Sequence, residues 1–162
     1  MLELKHIAKR LPFGLKIYAP NHTIVLEKDI VCDIGNLYHT QNAIELWNSK
    51  YIKCNTLISD IKPILFPLSF LDKEITVNGE TFVFTELLEI GDDGGYNYEF
   101  DFGNIKIIET LKKVAEHNYH YDMPYLPNQV IEDMIKYHFD TDGLIEQGLA
   151  ISVFDLPENP YK

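Results

Sequence analysis

The chain has 162 residues, 46% apolar and 12% aromatic, with a net charge of −11. That length suits a single domain over 1–162, which buries roughly two thirds of the surface its unfolded chain exposes and needs neither a metal nor a disulfide staple. The charge disfavours direct nucleic-acid binding, which depends on Lys and Arg displacing counterions, and no apolar run approaches the ~18 residues of a membrane helix.

Residues 2–11 are predicted to form a short amphipathic helix with Leu4, Ile7, Ala8 and Leu11 on one face, ended by Pro12 and Gly14. Residues 15–19 alternate as a strand, and Pro20-Asn21 turns the chain. Residues 23–34 read as a second strand or a bent pair, broken by Gly35-Asn36. Thr40 is placed to cap a helix through Ala43, Ile44 and Trp47, and residues 51–58 return to strand. Pro63 and Pro67 bracket Ile64-Leu65-Phe66 and argue against a central strand there. Ser69 is a candidate cap for one helical turn, with Asp72 at its third position.

The strongest local signal follows. Residues 73–77 and 80–84 flank Asn78-Gly79, and both turn residues tolerate the positive φ that a two-residue hairpin requires. This fixes a register of Val77 on Glu80, Thr76 on Thr81 and Ile75 on Phe82, with Ile75, Phe82 and Phe84 facing the core. Thr85 then begins a short helical stretch over 86–89. Residues 91–95, GDDGG, form a loop whose two aspartates and missing Lys-Ser or Lys-Thr exclude a phosphate cradle. Residues 96–102, YNYEFDF, alternate as a strand with aromatics on one face and Asn97, Glu99 and Asp101 on the other. Asn104 opens a helix to about His117, with Ile107, Ile108, Leu111, Val114 and Ala115 as its apolar stripe. Pro127 or Asn128 opens another, carrying Val130, Ile131, Met134, Ile135 and His138 on one face and ended by Asp140-Thr141-Asp142-Gly143. Residues 144–151 give a helical turn and a closing strand, and residues 157–162 read as a tail. The expected fold is α+β: a small, mostly antiparallel sheet with two main helices packed on it.

Charge is uneven along this order. Residues 1–20 hold Lys5, Lys9, Arg10 and Lys16 against Glu3, a balance of +3, which leaves −14 for the rest. A nucleic acid would have to be held by that N-terminal stretch alone. A basic protein surface is the better-matched partner, because complementary fields raise association rates; solubility accounts for such acidity equally well. The charged opening MLELKHIAKRL does not read as a secretory leader, and Cys32 and Cys54 read as free thiols, so a cytoplasmic location is expected.

Catalytic signatures are sparse. His117 and His120 would lie one helical turn apart, and His138 and Asp140 are candidates to complete a metal site; the Glu that zinc-protease chemistry requires directly after the first His is absent, Asn118 standing there. His138 sits on an apolar stripe, where a hydrogen-bonded core histidine is the commoner outcome. Asp140-Thr141-Asp142-Gly143 resembles the opening of a calcium loop, but its Gly arrives two positions early, and a turn is the better account.

Two segments carry a family resemblance. Residues 62–84, KPILFPLSFLDKEITVNGETFVF, form the first; Tyr137-His138-Phe139-Asp140, Gly143-Leu144-Ile145-Glu146 and Gly148-Leu149-Ala150-Ile151 form the second. The chain here resembles a family of uncharacterised proteins carried by phages and prophages of Bacteroidetes-type bacteria. The match covers about 45 of the 162 residues, mostly Pro, Gly and apolar types, and the N-terminal third departs from it. The resemblance implies a mobile-element origin, a role in phage–host biology and hence a bacterial host cell as the setting of the expected cytoplasmic location; the family offers no catalytic residues to carry over.

The leading expectation is a non-enzymatic protein without a cofactor that engages a basic host surface, in its sharpest form an inhibitor of a host defence nuclease of the anti-CRISPR type. Asp92, Asp93, Glu99 and Asp101 are the expected contacts, since they join a loop to the outer edge of a strand. A small metal-dependent hydrolase using His117, His120, His138 and Asp140, and a phage structural or assembly accessory, are the alternatives.

Overall fold

A computed structural model describes residues 1–19, 30–38, 43–47, 53–88, 103–117 and 126–162 of the chain. The fold is α+β. Its helices are α1 (Leu4–Ala8), α2 (Phe84–Leu87), α3 (Gly103–His117) and α4 (Asn128–Lys136). Its strands are β1 (Lys16–Ala19), β2 (Ile30–Tyr38), β3 (Ala43–Trp47), β4 (Lys53–Leu57), β5 (Lys62–Leu65), β6 (Glu74–Val77), β7 (Glu80–Val83) and β8 (Ile151–Ser152). Six of them form one sheet in the order β4-β3-β2-β1-β5-β8, and β6-β7 form a separate hairpin. Every pairing in the large sheet is antiparallel except that of β5 with β8.

The hairpin has the register set by its turn chemistry: Ile75 on Phe82, Thr76 on Thr81 and Val77 on Glu80. Asn78 and Gly79 take φ of 53° and 85°, and the two threonine hydroxyls lie 2.9 Å apart on the outer face. Helix α3 buries Leu111, Val114 and Ala115, with Ile107 and Ile108 half-buried beside them. Helix α4 buries Val130 and Met134.

Other stretches depart from the sequence expectation. Gly35-Asn36 does not break β2; the strand runs through it, and the register against β3 shifts between Ile34 and Leu37. A bulge absorbs what looked like a stop. Ala43, Ile44 and Trp47 lie in a strand rather than a helix, because β3 is paired on both sides, to β2 and to β4. Such pairing overrides local propensity.

The segment around Pro63 is a central strand after all. β5 lies between β1 and β8, and β8 reaches only Ile64 and Leu65, so Pro63 has a strand neighbour on the β1 side alone. That is the edge-like position a proline needs. Both faces of β5 are covered. Ile64, with Phe66 just beyond the strand, joins a core cluster that also holds Ile75, Val114 and Met134; Leu65 joins a second, with Ile7, Ile17 and Leu144. A strand buried on both faces reads as an unbroken apolar run, which hides its period.

Several caps also move. The helical turn Leu68–Phe70 begins after Pro67, not at Ser69. Helix α2 begins at Phe84, with Thr85 buried inside it. Ala8 is exposed, off the apolar face of α1. Helix α3 begins at Gly103, which places Asn104 within it.

Candidate functional site

The most developed arrangement of polar side chains among the described residues surrounds the end of α4. The helix stops at Lys136, earlier than the aspartate-rich turn. His138 takes φ of 62°, its N–H donates to Ile135 C=O at 3.0 Å, and Phe139 N–H donates to Met134 C=O at 2.9 Å. This crossed pair of bonds closes a helix around one left-handed residue, normally glycine. The chain then zips onto the residue after β5: Phe66 N–H donates to His138 C=O and Asp140 N–H to Phe66 C=O, each at 2.9 Å.

Asp140 is buried and works on the backbone. Its two carboxylate oxygens accept Leu144 N–H at 2.9 Å and Ile145 N–H at 2.8 Å, which caps the following turn. Gly148, at φ of 67°, closes that turn by the same device that ends α4: its N–H donates to Ile145 C=O, and Leu149 N–H donates to Leu144 C=O.

Arg10, fully buried, grips the same loop from the N-terminus. Its Nη1 donates to His6 C=O and to Asp142 Oδ2, both at 3.0 Å; its Nη2 donates to Phe139 C=O at 2.9 Å and to Thr141 Oγ1 at 3.1 Å. Lys9 Nζ lies 2.6 Å from Asp142 Oδ2 and also donates to Thr141 Oγ1 at 3.3 Å. Burial opposes ionisation of Asp142, but the Lys9 hydrogen bond and the Arg10 charge together hold its carboxyl below the usual range.

His138 and Tyr161 complete the arrangement. Their rings stack at 4.2 Å and 17°. Burial, aided by the Arg10 charge and opposed by the Phe13 backbone, brings the His138 pKa down to about 4, so the imidazole is neutral at pH 7. Tyr161 Oη donates to Ile64 C=O at 2.6 Å and accepts from Lys16 N–H at 3.2 Å, and burial pushes its phenol pKa up. Residues 157–162 are therefore no loose tail. Asn78 N–H donates to Tyr161 C=O, and Asn159 Nδ2 donates to Thr76 C=O at 2.9 Å, so the end of the chain ties the hairpin to the large sheet.

The sequence-predicted site residues fare differently. Asp92, Asp93, Glu99 and Asp101 lie outside the described residues, as does His120. His117 is exposed on the last turn of α3, its Nδ1 3.2 Å from Lys113 C=O. His138 is a buried core histidine, and both oxygens of Asp140 are engaged by backbone. Among the described residues, no group of three His, Cys, Asp or Glu is placed to hold a metal ion. Arg10, Asp142 and Tyr161 are the residues that sequence reasoning passed over. Their partners lie as much as 132 positions away for Arg10 and 145 for Tyr161, beyond any local pattern.

The N-terminal cations are the electrostatic centre of interest, and each has a carboxylate. Lys5 pairs with Glu3 at 3.0 Å, Lys9 with Asp142 at 2.6 Å, Arg10 with Asp142 at 3.0 Å and Lys16 with Asp33 at 2.6 Å. Elsewhere carboxylates dominate: among the described side chains thirteen acids are exposed against six lysines. No described helix is long and apolar enough to cross a membrane. No family model matches the chain, and neither does any curated protein or solved structure.

Proposed function

We propose that the chain is a non-enzymatic binding protein that presents an acidic surface to a basic surface of a host protein. Its sharpest form is an inhibitor of a host defence nuclease, of the anti-CRISPR type, in which carboxylates occupy a nucleic-acid channel. The observation that carries the reading is the pairing of Lys5, Lys9, Arg10 and Lys16 with carboxylates. Four cations meet three carboxylates, since Lys9 and Arg10 share Asp142, so the positive balance of this stretch falls to +1, and Arg10 is removed from solvent altogether. Among the described side chains the exposed charges are thirteen acids against six lysines. A surface of that sign repels phosphate backbones and attracts the Lys and Arg that bind them. The resemblance of residues 62–84 and of the 137–151 segment to phage and prophage proteins supplies the host setting of the proposal, and the charged opening of the chain its cytoplasmic location.

Affinity capture from a bacterial host lysate at low and at high salt tests it. The expected result is a basic, nucleic-acid-binding protein retained at about 50 mM salt and largely released near 500 mM, where the Debye length falls to a few ångströms. A partner retained equally at both, or a preference for nucleic acid itself, contradicts the proposal.

A further inference from the structure

We infer that the open face of Phe154 is the anchor for an arginine side chain of the basic partner. The inference rests on the acidic-surface reading and names the residue type this part of the surface takes.

Phe154 belongs to the short 3-10 turn Val153–Asp155 that follows β8. Ser152 Oγ accepts Phe154 N–H at 3.2 Å and fixes the turn. Val153 points into the core, while Phe154 points out and is 49% exposed. The ring is nevertheless held. One face stacks on Phe70 at 3.9 Å and 24°, and the ring meets Phe66 edge-on at 5.9 Å. A surface aromatic already fixed by its neighbours loses little freedom when something settles on its other face.

The stack already accepts a cation. Lys73 Nζ lies 4.7 Å from the centre of the Phe70 ring. Phe154 occupies one face of Phe70 at 3.9 Å, so the ammonium takes the opposite face. The open face of Phe154 is the remaining end of this column, and it carries the same negative quadrupole. Charge selects what settles there. Asp155 follows in the same turn and Glu158 lies just beyond it, both exposed, and residues 152–158 contain no base. Asp72, two positions after Phe70, is exposed as well and offsets the charge of its neighbour Lys73. This excess of carboxylate disfavours an anionic group and gives an apolar one no added attraction. A guanidinium suits both features: its plane stacks on the ring and its N–H fork reaches a carboxylate. An ammonium offers a point charge without the flat stack.

Calorimetric titration of the full chain at low salt with nona-arginine and nona-lysine peptides is the test. The wild type is expected to bind nona-arginine about fivefold more tightly than nona-lysine, the scale of an exposed cation–π contact. Phe154→Leu, which keeps apolar packing on Phe70 but removes the π face, is expected to erase that preference. Phe154→Trp, which keeps a ring, is expected to retain or increase it. A folded Phe154→Leu protein that still prefers arginine, or a folded Phe154→Trp protein that does not, overturns the anchor and leaves the acidic-surface reading standing. Failure of the wild type to bind either peptide overturns both.

Discussion

His138 combines a backbone role with a titrating one. Its φ of 62° is one that L-residues other than Asn and Asp seldom adopt, at a cost of about 1–2 kcal/mol. Ring stacking on Tyr161 and burial offset that cost where glycine would have none to bear. The neutral ring also makes stability pH-dependent. The folded pKa is depressed from 6.5 to about 4, so between these values the unfolded chain binds more protons than the folded one. Stability contributed by His138 is therefore complete above about pH 6.5 and is lost as pH falls toward 4. Between pH 7 and pH 5 the loss comes to about 2 kcal/mol. His6, whose pKa burial also lowers, adds in the same direction. His138→Asn keeps a residue that tolerates positive φ and removes the titration. Urea unfolding at pH 7 and pH 5 is expected to show a clearly smaller change for this variant than for the wild type; an unchanged pH dependence contradicts the assignment.

At the scale of elements, α1 is too short to be stable alone, since isolated helices need on the order of 12–15 residues. Burial of Ile7 in the core and the grip of Arg10, just beyond the helix, on the loop after α4 hold it. Arg10→Ala takes the donor from the buried Phe139 C=O and one of two cations from Asp142, which keeps Lys9, so it is expected to cost about 1–3 kcal/mol in urea unfolding. The Arg10→Ala/Asp142→Ala double variant is expected to lose at least 1 kcal/mol less than the sum of the single changes, and strict additivity would argue against a direct coupling. Tyr161→Phe leaves Ile64 C=O without its donor and Lys16 N–H without its acceptor, an expected loss of about 1–3 kcal/mol by the same measurement. These contacts also mark how far the sequence is legible. The β6–β7 hairpin, the α3 stripe and the start of α4 were readable because turn residues and helical period act over a few positions. Ala43–Trp47 and Lys62–Leu65 were not, because neighbours on both sides decided their state. Tyr161 looked like part of a tail because nothing near it in sequence signals that its hydroxyl lies between two strands. The acidic contacts expected at Asp92, Asp93, Glu99 and Asp101 lie outside the described residues.

Among the described residues exposed acids outnumber exposed lysines, thirteen to six. The N-terminal cations are spent on internal or local pairs, and Asp140 and Asp142 are spent with them on holding the loop after α4. The exposed carboxylates are left to set the outer field. A protein arranged this way is expected to show no measurable affinity for labelled DNA or RNA at about 150 mM salt, and to associate with a basic partner at a rate that falls steeply as salt rises. The most direct measurement compares the captured partner's affinity for the wild type and for Asp92→Asn/Asp93→Asn/Glu99→Gln/Asp101→Asn, titrated at low and at moderate ionic strength. The account predicts a loss of at least about tenfold for the variant at low salt and a shallower salt dependence, as expected when charge pairs are removed from an interface. Equal affinities and equal salt slopes for the two proteins would contradict it.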